Sequence, residues 1–398
     1  MFKKQIITVV GIPDTTPSWL PDGAVSAIVE ARAFAGGARH RELVAPLVDS
    51  SKPWIEIKAP LDDVFEAIEA VGGPVVVFAS GDPLFFGFAA TIINRCVDAD
   101  VVVYQWLSSL QTLAGKFNIP YAGMKSVSLT GRDWPCFDAA LIEGCPMIGV
   151  LTDRRHTPDV IAQRMLHYGY DNYIALVGEH LGNTSLEHIV SASLEKVAKM
   201  QFEQPNCLIL LRERRRMRPF GIDDGMLEGL PGRPAMITKR TIRLAALSAL
   251  DLHNRKCLWD IGFCTGSVSI EAKLQFPSLS VVAFERRPEC ESIIEANSRR
   301  MGTPGIHVVM GDFMQQDIST LPTPDAVFIG GHGGRIADIV SRLAQLLPEG
   351  GVVVLNSVSH ESRAAFCEAA IACGLTVDRE ETVRVDTHNP ISIIRACK

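Results

Sequence analysis

Short runs of aliphatic residues alternate along the chain with longer stretches that have the apolar spacing of amphipathic helices. The short runs are rich in valine and isoleucine, which is typical of buried strands. Continuous apolar strands separated by helices favour parallel sheets covered on both faces, so the predicted fold class is α/β. The predicted strands are residues 6–11, 73–80, 147–152, 173–178 and 206–211, and then 256–262, 279–285, 306–312, 324–331, 350–356 and 391–396.

A charged segment rich in proline and glycine separates the two halves of this pattern. Between Arg212 and Pro234 no apolar period is present, and the segment begins with the basic run RERRRMR. Such composition is typical of a solvated linker, although a basic run could also contact phosphate or carboxylate groups. The sequence therefore predicts a first domain at residues 1–212, a linker at 213–233 and a second domain at 234–398.

The charge balance and the cysteine pattern narrow the functional class. The 398 residues carry a formal net charge of −6, whereas proteins that bind free nucleic acid are usually basic. No apolar run approaches the ~18–20 residues of a membrane span, and the N-terminal apolar run is too short for a signal peptide. The ten cysteines lack the spacing of metal ligands. These features predict a cytoplasmic enzyme without a metal site that binds neither nucleic acid nor membrane.

Residues 256–272 have the order of strand, glycine-bearing turn and helix that a nucleoside-binding βα unit requires. Gly262 permits a tight turn, and Gly266 permits close packing of the helix against the strand. Cys264 stands between them, where a glycine would allow the closest approach of a ligand. Asp260 ends the strand and is suited to pairing with a ligand amino group. The segment therefore predicts a cofactor site that is crowded at its middle position.

Two acidic residues follow at the ends of the next two predicted strands. Glu285 can accept hydrogen bonds from two ribose hydroxyls, and Asp312 can accept one from an adenine amino group. Phe313 could stack on the base. Because the turn lacks the full glycine pattern for a pyrophosphate, S-adenosylmethionine fits this combination better than a dinucleotide. A nicotinamide enzyme and a plain βα turn with surface carboxylates are the alternatives.

A glycine-rich turn follows the fourth strand of the second half, at residues 329–334. Gly330 and Gly331 leave space there for a large flat substrate. The Asn/Asp-Pro-Pro-aromatic motif of amine-directed nucleic-acid methyltransferases is missing from this place. His332 is either a surface histidine or a residue that contacts a substrate carboxylate or transfers a proton. The turn therefore predicts an element that faces the substrate.

In the first half, the tetrapeptide Ser-Gly-Asp-Pro at residues 80–83 follows a predicted strand. Asp82 is a plausible N-cap and Pro83 a plausible first helical residue, so the tetrapeptide alone indicates only the start of a helix.

Longer motifs give the chain a specific resemblance. Its second half resembles the decarboxylating precorrin-6B C15-methyltransferases of cobalamin biosynthesis. Its first half resembles the tetrapyrrole methylases, and most of all their precorrin-7 C5-methyltransferase subgroup. The chain as a whole therefore resembles the family in which the two enzymes are fused. The motifs are residues 236–250, 260–272 and 324–334 in the second half, and residues 80–83, 108–120, 126–133 and 175–187 in the first.

The resemblance implies a tetrapyrrole methylase domain of two α/β subdomains (class III), followed by a Rossmann-like class I methyltransferase domain. It implies S-adenosylmethionine at two sites per chain, methylation of a precorrin or cobalt-precorrin at C5 and C15, and decarboxylation of the ring C acetate. It also implies a homo-oligomer, since both parent families self-associate. The cofactor-binding residues would be Gly11, Gly81, Asp82 and Pro83 in the first domain, and Asp260, Gly262, Cys264, Gly266, Glu285, Asp312 and Phe313 in the second.

The implied substrate carries many carboxylates, so arginine and lysine side chains should hold it through charge-assisted hydrogen bonds. The substrate-binding candidates are Arg132, Lys239, Arg240 and Arg243, together with Gly330 and Gly331. His332 is the candidate acid for the decarboxylation.

The first domain departs from the family pattern at two turns. The family opens with Val-Val-Gly-x-Gly-Pro-Gly, of which Gly11 remains, and Trp106 stands where the family has a glycine. Either the first domain has its own form of pocket, or it is a non-catalytic binding module attached to a C15-methyltransferase. An RNA methyltransferase with a targeting first domain is the third reading, and the acidic balance disfavours it.

Overall fold

The structure, a computed structural model, describes residues 5–385 and 389–398. Its internal contacts divide these residues into two compact units. The first unit comprises the residues up to 132 together with 146–162 and 173–212. The second unit comprises residues 133–145, 163–172 and 213 to the end. The second unit thus contains the predicted linker and two stretches from the predicted first domain.

Residues 213–233 differ from a solvated linker. Ile222, Leu227 and Leu230 are buried in a core cluster of the second unit. The guanidinium of Arg216, from the basic run, lies over the ring of Tyr170 at 4.5 Å and donates to a backbone carbonyl. Met217 and Phe220 of the same segment are exposed, so its packing rests on those three aliphatic side chains and on Arg216.

The first sheet of the first unit is parallel and covered on both faces. Along its central strand, Ile7 and Val9 enter one core cluster, and Val10 and Ile12 enter the other. This alternation explains why both faces of the strand carry apolar residues. The elements are β1 (Ile6–Ile12), α1 (Asp22–Glu30), β2 (Ala33–Gly36), α2 (Ala38–Val44), β3 (Trp54–Glu56), α3 (Leu61–Ala70), β4 (Val75–Ser80), α4 (Phe88–Arg95) and β5 (Asp100–Tyr104), with the strand order β3-β2-β4-β1-β5.

The second sheet is mostly antiparallel, so the expectation of parallel sheets is wrong here. Only β6 and β7 pair in parallel, whereas β10 pairs antiparallel with both β7 and β8, and β8 with β9. Its order is β6-β7-β10-β8-β9. The elements are α5 (Ser109–Lys116), β6 (Lys125–Ser128), α6 (Pro135–Glu143), β7 (Met147–Leu151), α7 (Pro158–His167), β8 (Tyr173–Glu179), β9 (His188–Ser193), α8 (Leu194–Val197) and β10 (Asn206–Arg212), of which α6 and residues 163–167 of α7 belong to the second unit.

The second unit contains a seven-stranded sheet in the order β13-β12-β11-β14-β15-β17-β16. Its first five strands are parallel, and β17 pairs antiparallel with both β15 and β16. The chain direction across the sheet reverses between β11 and β14, which is where open α/β sheets bind ligands. The elements are α9 (Arg240–Leu250), β11 (Cys257–Ile261), α10 (Ser267–Gln275), β12 (Ser280–Glu285), α11 (Glu289–Met301), β13 (Ile306–Met310), β14 (Ala326–Ile329), α12 (Ile336–Leu346), β15 (Val352–Ser357), α13 (His360–Ala372), β16 (Thr376–Val383) and β17 (Ile391–Cys397).

Two further observations concern the described residues as a whole. Among their helices, none is both long enough and apolar enough to cross a membrane. Their histidine, cysteine, aspartate and glutamate side chains form no cluster of three or more that could hold a metal ion.

Candidate functional site

A cavity of about 590 Å³ opens in the second unit beside the carboxyl ends of β11, β12 and β14. The turn after β11 forms its floor, and the turn after β14 faces it. The segment that precedes α9 also reaches the cavity, through residues 235–238. The predicted cofactor and substrate turns of the second half therefore share one cavity, as the order of their strands requires.

Asp260 is the buried charge of this cavity. The residue is fully buried, and its Oδ2 accepts hydrogen bonds from the backbone N and the Oγ of Ser269, at 3.2 and 2.6 Å. Its Oδ1 has no partner within the described residues. Burial raises the pKa of Asp260 to about 7, with a smaller contribution from the nearby Glu285. An unpaired buried carboxylate oxygen is costly unless a ligand cation satisfies it.

The glycines of the turn are required by close packing. Gly262 has a φ of +76°, and a Cβ there would lie 2.6 Å from the backbone N of Gly331. Gly266 has a φ of +73°, and a Cβ there would lie 2.4 Å from Ile294 of α11. Gly266 therefore makes room for the neighbouring helix α11. The sequence instead predicted close packing of its own helix against the strand.

Cys264 fills the middle of the turn with a φ of +53°, which is unusual for a residue with a side chain. Its Sγ lies 3.2 Å from the carbonyl oxygen of Met236, and its backbone N donates to Glu285. Burial raises the pKa of the Cys264 thiol, so the side chain is a neutral donor at pH 7. The sulfur thus bridges the turn to the segment before α9.

Cys264→Gly is expected to raise the free energy of unfolding by about 0.5–1 kcal/mol, because glycine accepts the left-handed conformation without steric cost. Urea denaturation measures the change. Cys264→Ala is the matched control, since it removes the thiol and keeps the strain, and it should leave stability within about 0.5 kcal/mol of wild type. Loss of donor binding in the glycine variant would contradict this account and give the thiol a role in the site.

Glu285 lies at the end of β12 with its carboxylate fully engaged. It accepts hydrogen bonds from the backbone N of Cys264, Arg286 and Arg287, at 2.9–3.1 Å. The guanidinium of Arg287 adds two more, from Nε at 3.1 Å and from Nη2 at 2.7 Å. Burial disfavours the charge of Glu285, but the bonds from Arg287 outweigh it and lower the pKa of the carboxyl. The carboxylate predicted to bind the ribose is thus ionised, and its oxygens already accept hydrogen bonds from neighbouring protein groups.

Asp312 and Phe313 follow β13 and have different exposure. Asp312 lines the cavity, its Oδ1 accepts from the backbone N of Met314, and its Oδ2 lies 3.4 Å from Arg335 Nη1. Phe313 is 5% exposed and packs edge-to-face against Trp259 and Phe284. Phe313 also lines the cavity, and the guanidinium of Arg342 lies 5.0 Å from its ring centroid, so its stacking on a base stays a prediction.

The glycine-rich turn after β14 carries the candidate acid into the cavity. Gly330, Gly331 and His332 all line it. The backbone N of Gly334 donates to His332 Nδ1 at 3.2 Å, so the neutral imidazole carries its proton on Nε2. Burial lowers the pKa of His332. The ring can therefore donate from Nε2, and its protonated form is a stronger acid than an exposed histidine.

The basic residues that the sequence suggested for substrate binding in the second unit do not line this cavity. Arg243 is fully buried and pairs with Glu271 and Asp224, both at 3.2 Å, so its predicted role in substrate binding is wrong. Lys239 and Arg240 begin α9 and are not among the cavity-lining residues. The cations that do line it are Arg233, Arg286, Arg287 and Arg335. They occur in three separate segments, and the sequence shows no common pattern that would have grouped them.

The first unit has a cavity of its own, of about 550 Å³. Gly81 and Asp82 line it, in agreement with their predicted place. Asp82 Oδ1 accepts from the backbone N of Leu84, and α4 begins only at Phe88, so the predicted helix start at Asp82 is wrong. Pro83 packs beneath Gly87, whose Cβ would lie 2.5 Å from the Pro83 carbonyl oxygen.

Gly11 serves packing. It lies inside β1, and a Cβ there would come within 2.1 Å of the Gly81 carbonyl oxygen and 2.8 Å of the Trp106 backbone N. Gly11 is absent from the cavity lining, so the structure does not support its predicted place beside a donor. Trp106 does line it. Arg132 lies beside the cavity, with its guanidinium 5.4 Å from the ring centroid of the lining residue Phe86.

A polar network that the sequence did not indicate faces the first cavity. Arg39 Nη2 and His40 Nε2 lie 2.8 and 2.9 Å from Ser80 Oγ, and Arg39 also pairs with Asp14. His40 Nδ1 accepts from the backbone N of Gly37, so Nε2 carries the proton. Burial, then the charge of Arg39, lowers the pKa of His40 to about 4. With both lone pairs of Ser80 occupied, its hydroxyl can only donate to a ligand.

Comparison with known proteins gives matches to both units. A family model described as tetrapyrrole (corrin/porphyrin) methylases matches residues 7–198, and one described as a precorrin methyltransferase domain matches residues 233–396. A Sinorhizobium protein named precorrin-6Y C(5,15)-methyltransferase [decarboxylating] is 30% identical over 384 residues, 95% of this chain and 91% of the relative.

Two shorter matches fall on part of the chain. A Salmonella typhimurium protein named cobalt-precorrin-6B C(15)-methyltransferase (decarboxylating) is 38% identical over 133 residues, which are 33% of this chain and 68% of the relative. A crystal structure of a Geobacter metallireducens protein, described as precorrin-6y C5,15-methyltransferase, is 32% identical and superposes with a TM-score of 0.43. It covers 46% of this chain and 100% of its own.

Proposed function

Because the chain belongs to the family of decarboxylating precorrin-6Y C(5,15)-methyltransferases, we propose that each of its two cavities holds its own methyl donor. The chain is an S-adenosylmethionine-dependent C-methyltransferase of cobalamin biosynthesis. The second unit methylates a precorrin macrocycle at C15 and removes the carboxylate of the ring C acetate. The first unit methylates C5. The substrate is a precorrin or its cobalt complex, and self-association and a cytoplasmic location stay predictions.

The observation that carries the second donor site is the unpartnered, fully buried Oδ1 of Asp260. It lies in a cavity whose floor is the turn at Gly262 and whose wall holds the carboxylates of Glu285 and Asp312. A ligand with one ammonium, two vicinal hydroxyls and an aromatic amine meets these three acidic groups in turn. S-adenosylmethionine has those groups and brings no phosphate. The residues present therefore fit this donor.

The second unit orients the macrocycle and controls its protons. When bound, the donor supplies an electrophilic methyl group, and the enamine-like carbon of the macrocycle is the nucleophile. The turn at Gly330 and Gly331 leaves a flat ring room to approach at near-attack distance. Loss of carbon dioxide leaves an electron pair on the macrocycle, which takes up a proton. His332 is the proposed source of that proton, because its ring lines the cavity and carries a proton on Nε2.

In the first unit, the proposed contact with substrate is a carboxylate held by Ser80. The hydroxyl of Ser80 is fixed as a donor by Arg39 and His40, and all three line the cavity beside Gly81. A hydroxyl donor suits a carboxylate here, because the hydrogen bond that Ser80 accepts from the Arg39 guanidinium polarises its O–H group. This network supports a cavity that binds ligand despite the altered turn at Gly11.

The experiment that tests two donor sites is a calorimetric titration of the full chain with S-adenosylhomocysteine, which should give two binding events. Gly81→Val should weaken one of them by roughly 10- to 30-fold, because the added Cβ would lie 3.1 Å from the Leu107 carbonyl and 3.2 Å from Ser108 Cα in the cavity wall.

Gly72→Val is the matched control for this experiment. Gly72 has a φ of +58°, close to the +60° of Gly81, but no atom lies within 4 Å of its added Cβ. Its backbone strain is therefore comparable, and its effect on both affinities should be small. A single binding event in wild type, unaffected by Gly81→Val, would show that the first unit is a non-catalytic module.

A further inference from the structure

Arg287 occupies the carboxylate that the proposed function gives to the ribose of the donor. Resting on that proposed function, we infer that Arg287 is a positioning residue that competes with the donor for Glu285 and, once displaced, becomes an additional cation for substrate carboxylates. Donor binding and substrate binding are thereby coupled through one side chain of the second unit.

The Glu285 carboxylate has no acceptor site left for a ligand. It accepts five, whereas two carboxylate oxygens offer about four lone-pair sites. Three of the five come from backbone N–H groups, which stay in place whatever binds. The two from the Arg287 side chain are the ones that can be released. Two ribose hydroxyls therefore require the guanidinium to withdraw.

The Arg287 side chain is held by little else. Its side chain is 32% exposed, and its other contact runs from Nη1 to Met236 Sδ at 3.0 Å. A thioether is a weak acceptor, so this contact adds little to the cost of withdrawal. The cost is chiefly the bidentate ion pair with Glu285, which partial exposure to water moderates. A donor whose ribose hydroxyls donate to Glu285 can therefore displace the Arg287 side chain.

The released guanidinium would join a cationic set in the same cavity. Arg233, Arg286 and Arg335 line it together with the proposed acid His332. In the absence of donor, the charge of Arg287 is cancelled by Glu285. When ribose hydroxyls take over that carboxylate, the cation is free for an acidic side chain of the macrocycle. Because coupling is reciprocal, donor raises the affinity for substrate and substrate raises the affinity for donor by the same factor.

The test uses the full chain in the Gly81→Val background, in which the two binding events differ in affinity. S-adenosylhomocysteine is titrated into Arg287→Met, Arg287→Lys and Arg300→Met. Arg287→Met should bind it roughly 3- to 30-fold more tightly, because the competitor is gone while the three backbone donors remain. Arg287→Lys should have an affinity between those of wild type and Arg287→Met, since lysine cannot form the bidentate pair. Arg300→Met is the matched control: it removes an exposed arginine of α11 that does not line the cavity and should leave the affinity unchanged.

A second measurement follows the coupling. Fluorescence titration with uroporphyrin, a tetrapyrrole octacarboxylate, is carried out with and without S-adenosylhomocysteine. The donor analogue should increase uroporphyrin affinity several-fold in the Gly81→Val chain and have no such effect in its Arg287→Met form. Equal or weaker binding of S-adenosylhomocysteine by Arg287→Met overturns the inference and leaves the donor site intact. Absence of binding to the second unit in every variant refutes the donor site itself.

Discussion

Asp260→Asn should weaken the binding of S-adenosylhomocysteine to the second unit by about 2–4 kcal/mol, or roughly 30- to 700-fold. The amide keeps the shape of the side chain and the bonds to Ser269. It removes the negative charge that a donor ammonium would meet at the buried Oδ1, which has no other partner in the described residues. Isothermal titration of the full chain measures the loss, and the binding event of the first unit provides the internal reference.

The wild-type chain should show a pH dependence that Asp260→Asn lacks. The pKa of Asp260 is about 7, against 3.8 for a free side chain, because the carboxyl is fully buried. An ammonium binds only the ionised form, so the affinity should fall as the pH drops below about 7, approaching tenfold per pH unit. Below that pH, binding should release a proton, which titrations in two buffers of different ionisation enthalpy detect. A flat profile in wild type between pH 5.5 and 8 would contradict this role for Asp260.

The same carboxyl should affect folding in the opposite direction. Between pH 4 and 7 the folded chain keeps a proton on Asp260 that the unfolded chain has lost, because the folded pKa is raised. The contribution of Asp260 to the free energy of unfolding therefore falls as the pH rises through this window. Donor binding offsets that loss, since it stabilises the ionised form. Ionised Asp260 therefore destabilises the free protein, and the bound donor removes this destabilisation.

The apolar pattern predicted the interior strands well and the edges poorly. Every strand expected from the sequence is present, within a few residues of its expected ends. Of the strands it missed, all but β2 lie at sheet edges: β3, β5, β6, β9 and β16. An edge strand packs on fewer neighbours and tolerates polar residues, as in the sequence TVDREETV of β16. The strand β2 is only four residues long, too short for a periodic signal.

Local motifs located the second cavity because the residues predicted to bind the cofactor lie at the ends of consecutive strands. Asp260, Gly262 and Glu285 are fixed by a single βα unit and its neighbour, so sequence order determines their spatial order. The contribution of Arg39 and His40 to the first cavity could not be predicted in this way, because they follow the short β2 and reach Ser80 only through tertiary folding. Charge alone also gave a wrong prediction for a substrate-binding residue, because exposed and buried arginines cannot be distinguished in a sequence.

Arg243 is the clearest case of that ambiguity, and its replacement should have the largest effect on stability. Its guanidinium is fully buried and binds Glu271, Asp224 and the carbonyl oxygen of Thr238, the last at 2.8 Å. Glu271 is fully buried as well, and it also accepts from the backbone N of Gly221 and of Ile222. The pair thus ties α9 and α10 to the segment that the sequence predicted as a linker.

Arg243→Met is expected to lower the free energy of unfolding of the second unit by about 3–5 kcal/mol, because it leaves a buried carboxylate without its cation. Urea denaturation followed by hydrogen exchange of the α10 amides measures the loss in the second unit alone. Arg240→Met is the matched control: it lies on the same helix with a side chain that is 55% exposed and should cost under about 1 kcal/mol.

The double variant Arg243→Met, Glu271→Gln separates the ion pair from packing. Removing both charges should recover part of the lost stability, since the uncompensated buried carboxylate accounts for most of the penalty in the single variant. If Arg243→Met instead kept wild-type stability and lost only methylation, the arginine would act on the substrate, as its sequence suggested. The two roles predict opposite outcomes because a charge that holds α9 against α10 cannot also be free to meet a ligand.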